Sequence, residues 1–275
     1  MTREEKVRAF RSLHMQPGAF VIPNPWNAGT ARILTALGFD ALATTSAGYS
    51  FAMGLRDSSA ALSREALLAN AKEILDATLL PVSADLEDCF GRAPDICAQT
   101  IRLASDIGLA GGSIEDATGD VADPIYAFDL AVERVAAAAE AASACGFVLT
   151  ARAENYLHGR PDLEDTIRRL QAFERAGADV LYAPALPSLD AVREVCRSLT
   201  KPVNVVMGLK GATYTVAQLA EAGVKRISVG GSFARAALGA FVRAAREVKE
   251  RGTFTYAADA LPHAEAHRFM VEVKR

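Results

Sequence analysis

Short β-rich apolar runs alternate with alanine-rich helical stretches along nearly the whole chain. An apolar run of about four to eight residues is typical of a strand, and an apolar residue every three or four positions is typical of an amphipathic helix. The pattern predicts strands at Phe20–Asn24, Ala41–Thr45, Pro81–Glu87, Gly111–Asp116, Val148–Glu154, Val180–Ala185, Val203–Gly208 and Arg226–Gly231. It predicts helices at Ala28–Leu37, Arg64–Ala77, Asp95–Gly108, Asp129–Cys145, Asp162–Ala176, Ser188–Leu199, Thr215–Ala222 and Ser232–Arg251.

Polar residues and glycines mark the ends of these helices. Ser63 and Ser188 precede predicted helices, where a serine hydroxyl can accept a hydrogen bond from a free backbone N–H. Gly38, Gly108 and Gly146 follow others, because glycine readily adopts the left-handed conformation that ends a helix. Strands that alternate with helices, and that are mostly apolar, indicate a parallel sheet covered on both faces.

Eight such units in 275 residues favour an α/β fold of the (β/α)8 TIM-type, as a single domain over residues 1–275. We expect the barrel at about 18–251 and a tail at 252–275. The tail contains Pro262 and a helical pattern at Ala264–Val273. It can pack on a neighbouring copy or cap the surface of its own barrel.

The composition excludes several classes of protein. The net charge is -3 and no basic stripe occurs, which argues against a nucleic-acid partner. No apolar run approaches the roughly 20 residues of a membrane span, so no membrane partner is expected. The four cysteines have no CxxC spacing, which favours reduced thiols in a cytoplasmic protein.

Charged residues lie at the ends of three neighbouring predicted strands. In a (β/α)8 barrel the carboxyl ends of the strands carry the active site. Alternation along the third strand places Asp85 and Glu87 on one face, Glu115 ends the fourth strand, and Arg152 ends the fifth. Carboxylates this close repel each other, so we expect a cation, and oxygen ligands favour magnesium or manganese. The alternative is that these are ordinary charges at strand ends.

Arg152 has two interpretations. Its planar guanidinium suits a two-point contact with a substrate carboxylate or phosphonate. The alternative is a structural salt bridge to Glu115.

Three loop features add to the predicted site. The segment 44–50 carries small residues, whose backbone N–H groups can approach an anion. Asp57 follows, and it either binds the metal through water or caps a turn. The segment Thr118–Phe128 lies directly after the fourth strand, where it is either a lid that excludes water or a plain surface loop.

In order along the chain, these motifs resemble the isocitrate lyase/phosphoenolpyruvate mutase superfamily. The resemblance covers nearly the whole chain and is carried by Pro23-Asn24-Pro25-Trp26-Asn27, Thr44–Gly48, Gly54-Leu55-Arg56-Asp57, Asp85-Leu86-Glu87 with Phe90-Gly91, Ile114-Glu115-Asp116 and Ala151-Arg152. It implies a magnesium site with Asp85 nearest the ion and with Glu87 and Glu115 acting mostly through its waters. It also implies a homo-oligomer, a dimer or a tetramer, in which C-terminal helices are often exchanged.

The resemblance further implies roles for individual residues. Backbone amides of Thr45, Ser46 or Ala47 would bind the substrate carboxylate, and Arg152 would contact the substrate oxygens. We assign catalytic roles to Arg152, Glu115 and Asp57. Asn204 and Tyr182 are our hypotheses for the far end of the substrate pocket.

The chain also departs from the superfamily pattern. Lyases of the superfamily carry a Lys-Cys-Gly-His loop after the fourth-strand Glu-Asp, and its cysteine does acid–base work. Phosphonate mutases carry a Lys-Thr-Asn-Ser-type stretch. This chain has Ala117-Thr118-Gly119-Asp120 there, and Cys89 replaces the usual glycine before the aromatic residue of the third-strand motif.

Our leading hypothesis is metal-assisted C–C cleavage, by a lyase or decarboxylase, of a small 2-oxo or 2-hydroxy dicarboxylate such as an oxaloacetate- or methylisocitrate-like substrate. A retro-aldol lyase would need an acid–base group, with Tyr49, Tyr182 or Glu154 as candidates. The alternatives are phosphonate P–C chemistry and non-catalytic binding of a 2-oxo-dicarboxylate.

Overall fold

The computed structural model describes residues 1–57 and 62–271 and contains all eight predicted strands. Each strand is shorter at its carboxyl end than the apolar run predicts. The bounds are β1 Phe20–Ile22, β2 Leu42–Ala43, β3 Val82–Asp85, β4 Gly111–Glu115, β5 Val148–Arg152, β6 Val180–Tyr182, β7 Val203–Val206 and β8 Arg226–Ser228.

The strands form a parallel sheet in which each is paired with its neighbour in the order β1-β8-β7-β6-β5-β4-β3-β2. Between β1 and β2 the barrel is joined by the Ala43 N–H, which donates to the Pro23 carbonyl at 3.0 Å. The Asn24 side-chain amide adds a second link, since it donates to the Thr44 carbonyl at 2.9 Å. The predicted (β/α)8 barrel is therefore confirmed.

The helices surround this sheet and begin and end within two residues of most predicted positions. Their bounds are α1 Arg3–Met15, α2 Ala28–Ala36, α3 Ser46–Ala52, α4 Arg64–Asp76, α5 Pro94–Asp106, α6 Phe128–Ala144, α7 Leu163–Arg175, α8 Leu189–Arg197, α9 Val216–Glu221, α10 Ser232–Arg251 and α11 His263–Phe269. The hydroxyls of Ser63 and Ser188 accept N–H donors at the starts of α4 and α8, as predicted.

Helix α1 covers the amino-terminal end of the barrel. Its Val7 and Phe10 belong to a buried apolar cluster with residues that begin or adjoin the strands, among them Ile22, Ala110 and Val148. A Cβ atom on Gly111 would lie 2.6 Å from the Val148 carbonyl oxygen and 2.9 Å from the Phe10 ring. Glycine at the start of β4 therefore permits this close packing, which leaves the opposite end of the barrel for the site.

The chain after β8 is largely exposed. Phe241 on α10 is 70% exposed and Phe254 beyond it is 64% exposed. The helix predicted in the tail is present as α11, which packs on α2 through a hydrogen bond from Arg32 to the Met270 carbonyl. Among the described helices, none is long and apolar enough to cross a membrane.

Candidate active site

A cavity of about 510 Å³ opens at the carboxyl ends of the strands. It brings together nearly all of the residues that the sequence assigns to a site: Thr45, Ser46, Ala47, Asp57, Asp85, Glu87, Glu115 and Arg152. They converge because strand ends that are far apart in sequence meet at one rim of a closed parallel sheet. Their functional roles stay predictions.

Arg152 lies at the centre of the cavity floor. Its guanidinium is 2.7 Å from a Glu115 carboxylate oxygen, 2.7 Å from Glu154 and 3.3 Å from Asp85. Glu115 is its register partner on β4, and Tyr182 is its partner on β6, with the ring 4.7 Å from the guanidinium carbon. The salt bridge to Glu115, which was the alternative interpretation of Arg152, is present. The guanidinium of Arg152 therefore lies beside three carboxylates.

Glu87 reaches the cavity in a different way from the predicted one. Strand β3 ends at Asp85, and Glu87 lies in a turn with φ 49°, so strand alternation does not place it. Its side chain is buried, and its Oε2 atom has no hydrogen-bond partner. Burial raises the pKa of Glu87 to about 8, with a further contribution from Asp85 and Asp88. A buried carboxylate oxygen without a partner is a site at which a cation would be stabilised.

The segment predicted as an open loop after β2 forms the short helix α3. Thr45 caps it, and its hydroxyl accepts the Gly48 N–H at 3.2 Å. The Ser46 hydroxyl donates to Asp85 at 3.0 Å, and the Ser46 N–H points to the same oxygen at 3.4 Å. The backbone N–H at this helix start therefore faces the floor carboxylate.

Asp116, next to Glu115, points away from the cavity. Its carboxylate accepts the Glu154 N–H at 2.8 Å and an Arg169 donor at 3.2 Å. Burial raises the pKa of Asp116 to about 7, and these two donors oppose the shift. Of the adjacent pair at the end of β4, only Glu115 faces the cavity.

The structure does not place Asn204 at the cavity. Its side chain lies in a polar layer deeper inside the barrel, where its oxygen accepts from Arg226 at 2.8 Å and its amide donates to Ser228 at 3.1 Å. Both bonding groups of the amide are therefore occupied. Asn204 lies deeper than expected because β7 ends two residues later, where Val206 lines the cavity. Its role in substrate binding stays a prediction.

Of the three candidates for an acid–base group, two lie at the cavity. Tyr182 and Glu154 line the cavity, whereas Tyr49 does not. Burial raises the pKa of Tyr182 above its usual range. Asp57 lines the cavity, and its pKa is raised by burial and by Asp85.

The loop after β4 borders the cavity through Ala117, Gly119, Asp120, Val121 and Pro124. It returns on itself through a bridge between Ala117 and Ile125. Its position suits the predicted lid, and its closure stays a prediction.

Two loop residues that the sequence did not single out also line the cavity. Leu157 and His158 follow β5 on the loop that begins after Arg152. Their position soon after a strand end was the available signal, because loops at this rim border the site in such barrels.

Comparisons with known proteins agree with this geometry. The family model described as phosphoenolpyruvate phosphomutase matches residues 10–249. A crystal structure from Burkholderia cenocepacia J2315, provisionally named a lyase/mutase, is 56% identical with a TM-score of 0.94 and covers 97% of this chain and 96% of its own.

The names of two further relatives indicate two different reactions. A second structure from Burkholderia cenocepacia J2315, provisionally named a phosphonomutase, is 34% identical with a TM-score of 0.79, covering 90% of this chain and 99% of its own. The 2-methylisocitrate lyase of Shewanella oneidensis is 30% identical over 236 residues, which is 82% of this chain and 79% of that protein. The chain thus belongs to the phosphoenolpyruvate phosphomutase family, and it is an enzyme of the isocitrate lyase/phosphoenolpyruvate mutase superfamily.

Proposed function

We propose that this enzyme cleaves a carbon–carbon bond in a small 2-oxo or 2-hydroxy dicarboxylate with the help of a divalent cation. The observation that carries the proposal is the cavity floor, where the Arg152 guanidinium pairs with Asp85 and Glu115 and where Glu87 lines the same cavity. The relationship to a 2-methylisocitrate lyase supports this choice of reaction.

The floor residues fit a magnesium or manganese ion in their chemistry. Asp85, Glu87 and Glu115 offer only oxygen donors, which these ions prefer, and the Glu87 Oε2 atom is buried without a partner. In the part of the chain that the structure describes, no three histidine, cysteine or carboxylate side chains are already grouped to hold a metal. Arg152 instead provides the positive charge between Asp85 and Glu115. When bound, the ion would supply Lewis-acid stabilisation of an enolate.

The remaining floor residues would bind and orient the substrate. The guanidinium of Arg152 can hold a carboxylate at two points, and Glu154 keeps it in place through the 2.7 Å ion pair. The backbone and hydroxyl groups of Thr45, Ser46 and Ala47 border the same space. Asp57 lines the cavity and its pKa is raised by burial, which makes it a stronger proton acceptor, and it would receive a hydroxyl proton from the substrate.

A second candidate is phosphonate P–C chemistry. It is favoured by the phosphomutase family model and by the 34% identical structure provisionally named a phosphonomutase. A phosphonate would bring a group with up to two negative charges into the cavity in place of one carboxylate.

Turnover by the purified protein tests both proposals. We expect magnesium-dependent, EDTA-sensitive turnover of at least one among oxaloacetate, 2-methylisocitrate and alkyl-substituted malates, and none of phosphonopyruvate. The Asp85→Asn variant should lose this activity. Asp190→Asn, which changes an exposed carboxylate on α8, should retain it. Turnover of phosphonopyruvate alone would favour the second candidate, and tight binding of these acids without turnover would indicate a non-catalytic binder.

A further inference from the structure

Cleavage of a C–C bond requires a proton donor that the cavity floor does not obviously supply. The bond breaks with its electron pair left on a carbon next to a carboxyl group, and that carbon must gain a proton. Lyases of the superfamily have a cysteine on the loop after β4, and this chain has none there. Among the described cavity-lining residues, no cysteine and no lysine occurs.

Asp85, Glu87 and Glu115 are assigned to the proposed cation, and three other acids of the cavity are engaged or unsuited. Glu154 is fully buried and paired with Arg152 at 2.7 Å. Burial raises the pKa of Tyr182, which makes this phenol a weaker proton donor. Asp120 accepts the Ala122 N–H at 2.8 Å within its own loop.

His158 differs from these groups in both position and chemistry. It lines the cavity from the loop after β5, and its backbone N–H donates to the Glu154 carbonyl at 3.1 Å, which fixes that turn. Its imidazole makes no hydrogen bond or ion pair with another described residue, and it is exposed, so it can regain a proton from water. An imidazole can both donate and accept a proton near neutral pH.

The loop that carries His158 lies beside the loop after β4. Arg160 and Asp123 form an ion pair of 3.7 Å between the two loops. His158 therefore borders the same part of the cavity mouth as Gly119, Asp120 and Val121. This is the side of the site on which the superfamily lyases carry their cysteine.

We propose that His158 is the catalytic acid of this enzyme, an inference that rests on the proposed C–C cleavage. With a substituted malate, the 2-hydroxyl proton passes to Asp57 and the C2–O bond becomes a carbonyl. The C2–C3 bond breaks, and its electron pair stays on C3, delocalised into the adjacent carboxyl group. The His158 imidazolium then gives its proton to C3, and the products are a 2-oxo acid and a saturated carboxylic acid. With an oxaloacetate-like substrate, the same proton goes to the carbon that loses CO2.

The proposal sets the direction of the pH dependence. His158 must be protonated to act, so activity should fall as the pH is raised. The other charged and titratable groups that line the same cavity are Asp57, Asp85, Glu87, Asp88, Glu115, Asp120, Arg152, Glu154 and Tyr182, and the Arg160–Asp123 pair joins the two bordering loops.

The first test compares His158→Gln with His263→Gln, which changes a histidine on α11 outside the cavity lining. For His158→Gln we expect kcat to fall by roughly 10²- to 10⁴-fold. KM should stay within about threefold, because the acid acts on the transition state. The high-pH loss of activity should also disappear from the profile. Added imidazole should partly restore turnover by His158→Ala. His263→Gln should behave as wild type, and an unchanged kcat and pH profile in His158→Gln would overturn the proposal.

A second measurement does not require turnover. The protein has four histidines, so ¹⁵N-labelled imidazole signals can be assigned to His158 by their loss in His158→Gln. The probe is 2,2-dimethylsuccinate with magnesium chloride, a dicarboxylate that lacks the hydroxyl needed for cleavage. We expect the His158 signals to shift on titration while those of His263 do not. Absence of a His158 shift at saturation would refute contact with the ligand. Failure of wild type to cleave any substrate would refute the proposed function instead.

Discussion

Replacing Arg134 with methionine is expected to release the turn that carries Glu87. Arg134 lies on α6, is 1% exposed and donates to the carbonyl oxygens of Asp88 and Gly91. Its guanidinium also lies 4.0 Å from the centre of the Tyr126 ring. The turn contains three non-glycine residues with positive φ, and such residues cost about 1–3 kcal/mol each unless their surroundings hold them.

The magnitude follows from these contacts. Methionine fills part of the space but leaves two partly buried carbonyls without their donors, at about 1.5–3 kcal/mol for each charged hydrogen bond. Loss of the contact with Tyr126 adds about 1–2 kcal/mol. Removing a buried guanidinium also removes its desolvation cost, so we expect the free energy of unfolding to fall by about 3–5 kcal/mol.

Urea unfolding measures the loss of stability, and the reactivity of Cys89 measures the release of the turn. The Cys89 thiol lies in the turn and is completely buried, so Arg134→Met should speed its labelling by a thiol reagent. Arg193→Met is the matched control, because Arg193 pairs at 2.7 Å with an Asp190 side chain that is 89% exposed. It should cost no more than about 0.5 kcal/mol. An Arg134→Met protein within about 1 kcal/mol of wild type, with Cys89 still protected, would refute this account.

Further predictions concern the site, the pH and the assembly. Arg152→Lys, whose single nitrogen cannot occupy the positions of both Nη1 and Nε, should lower kcat/KM roughly 100-fold or more with little change in the fold, as steady-state kinetics and circular dichroism would show. Burial and Arg226 lower the pKa of His14 to about 3 from 6.5. Below pH 6.5 the unfolded chain therefore binds a proton at His14 that the folded protein does not bind. The free energy of unfolding should fall by ~1.4 kcal/mol for each unit by which the pH is lowered. His14→Gln should lack this slope in urea unfolding between pH 7 and 5, and equal slopes would contradict the assignment. Phe241→Glu on α10 should reduce the molar mass measured by light scattering if, as we predict, the chain forms a dimer or tetramer through this exposed helix.

The sequence by itself determined the order and type of most elements. The strands lie in short segments that are mostly apolar, and helix starts such as Ser63 and Ser188 depend on a hydroxyl that bonds three residues ahead. These signals are local, so they can be recognised without knowing the fold. The family motifs likewise indicated Asp85, Glu115 and Arg152 as site residues, and the structure brings the three together.

Tertiary structure decided the features that depend on contacts distant in sequence. Helix α3 has only seven residues, too few to be stable alone, and its start faces Asp85 on another strand. Glu87 enters the cavity through a turn that Arg134 holds from α6, and no local pattern predicts that conformation.

The depth of each side chain in the barrel also depended on the closed sheet. Asn204 and Arg152 both lie on strands, but the stagger of the barrel places Asn204 in the inner layer with Arg226 and brings Arg152 to the floor. His158 has no pattern around it that marks a site, and only the meeting of two loops at the rim places it beside the cavity. Local residues therefore determined which elements form, and closure of the barrel decided which side chains meet.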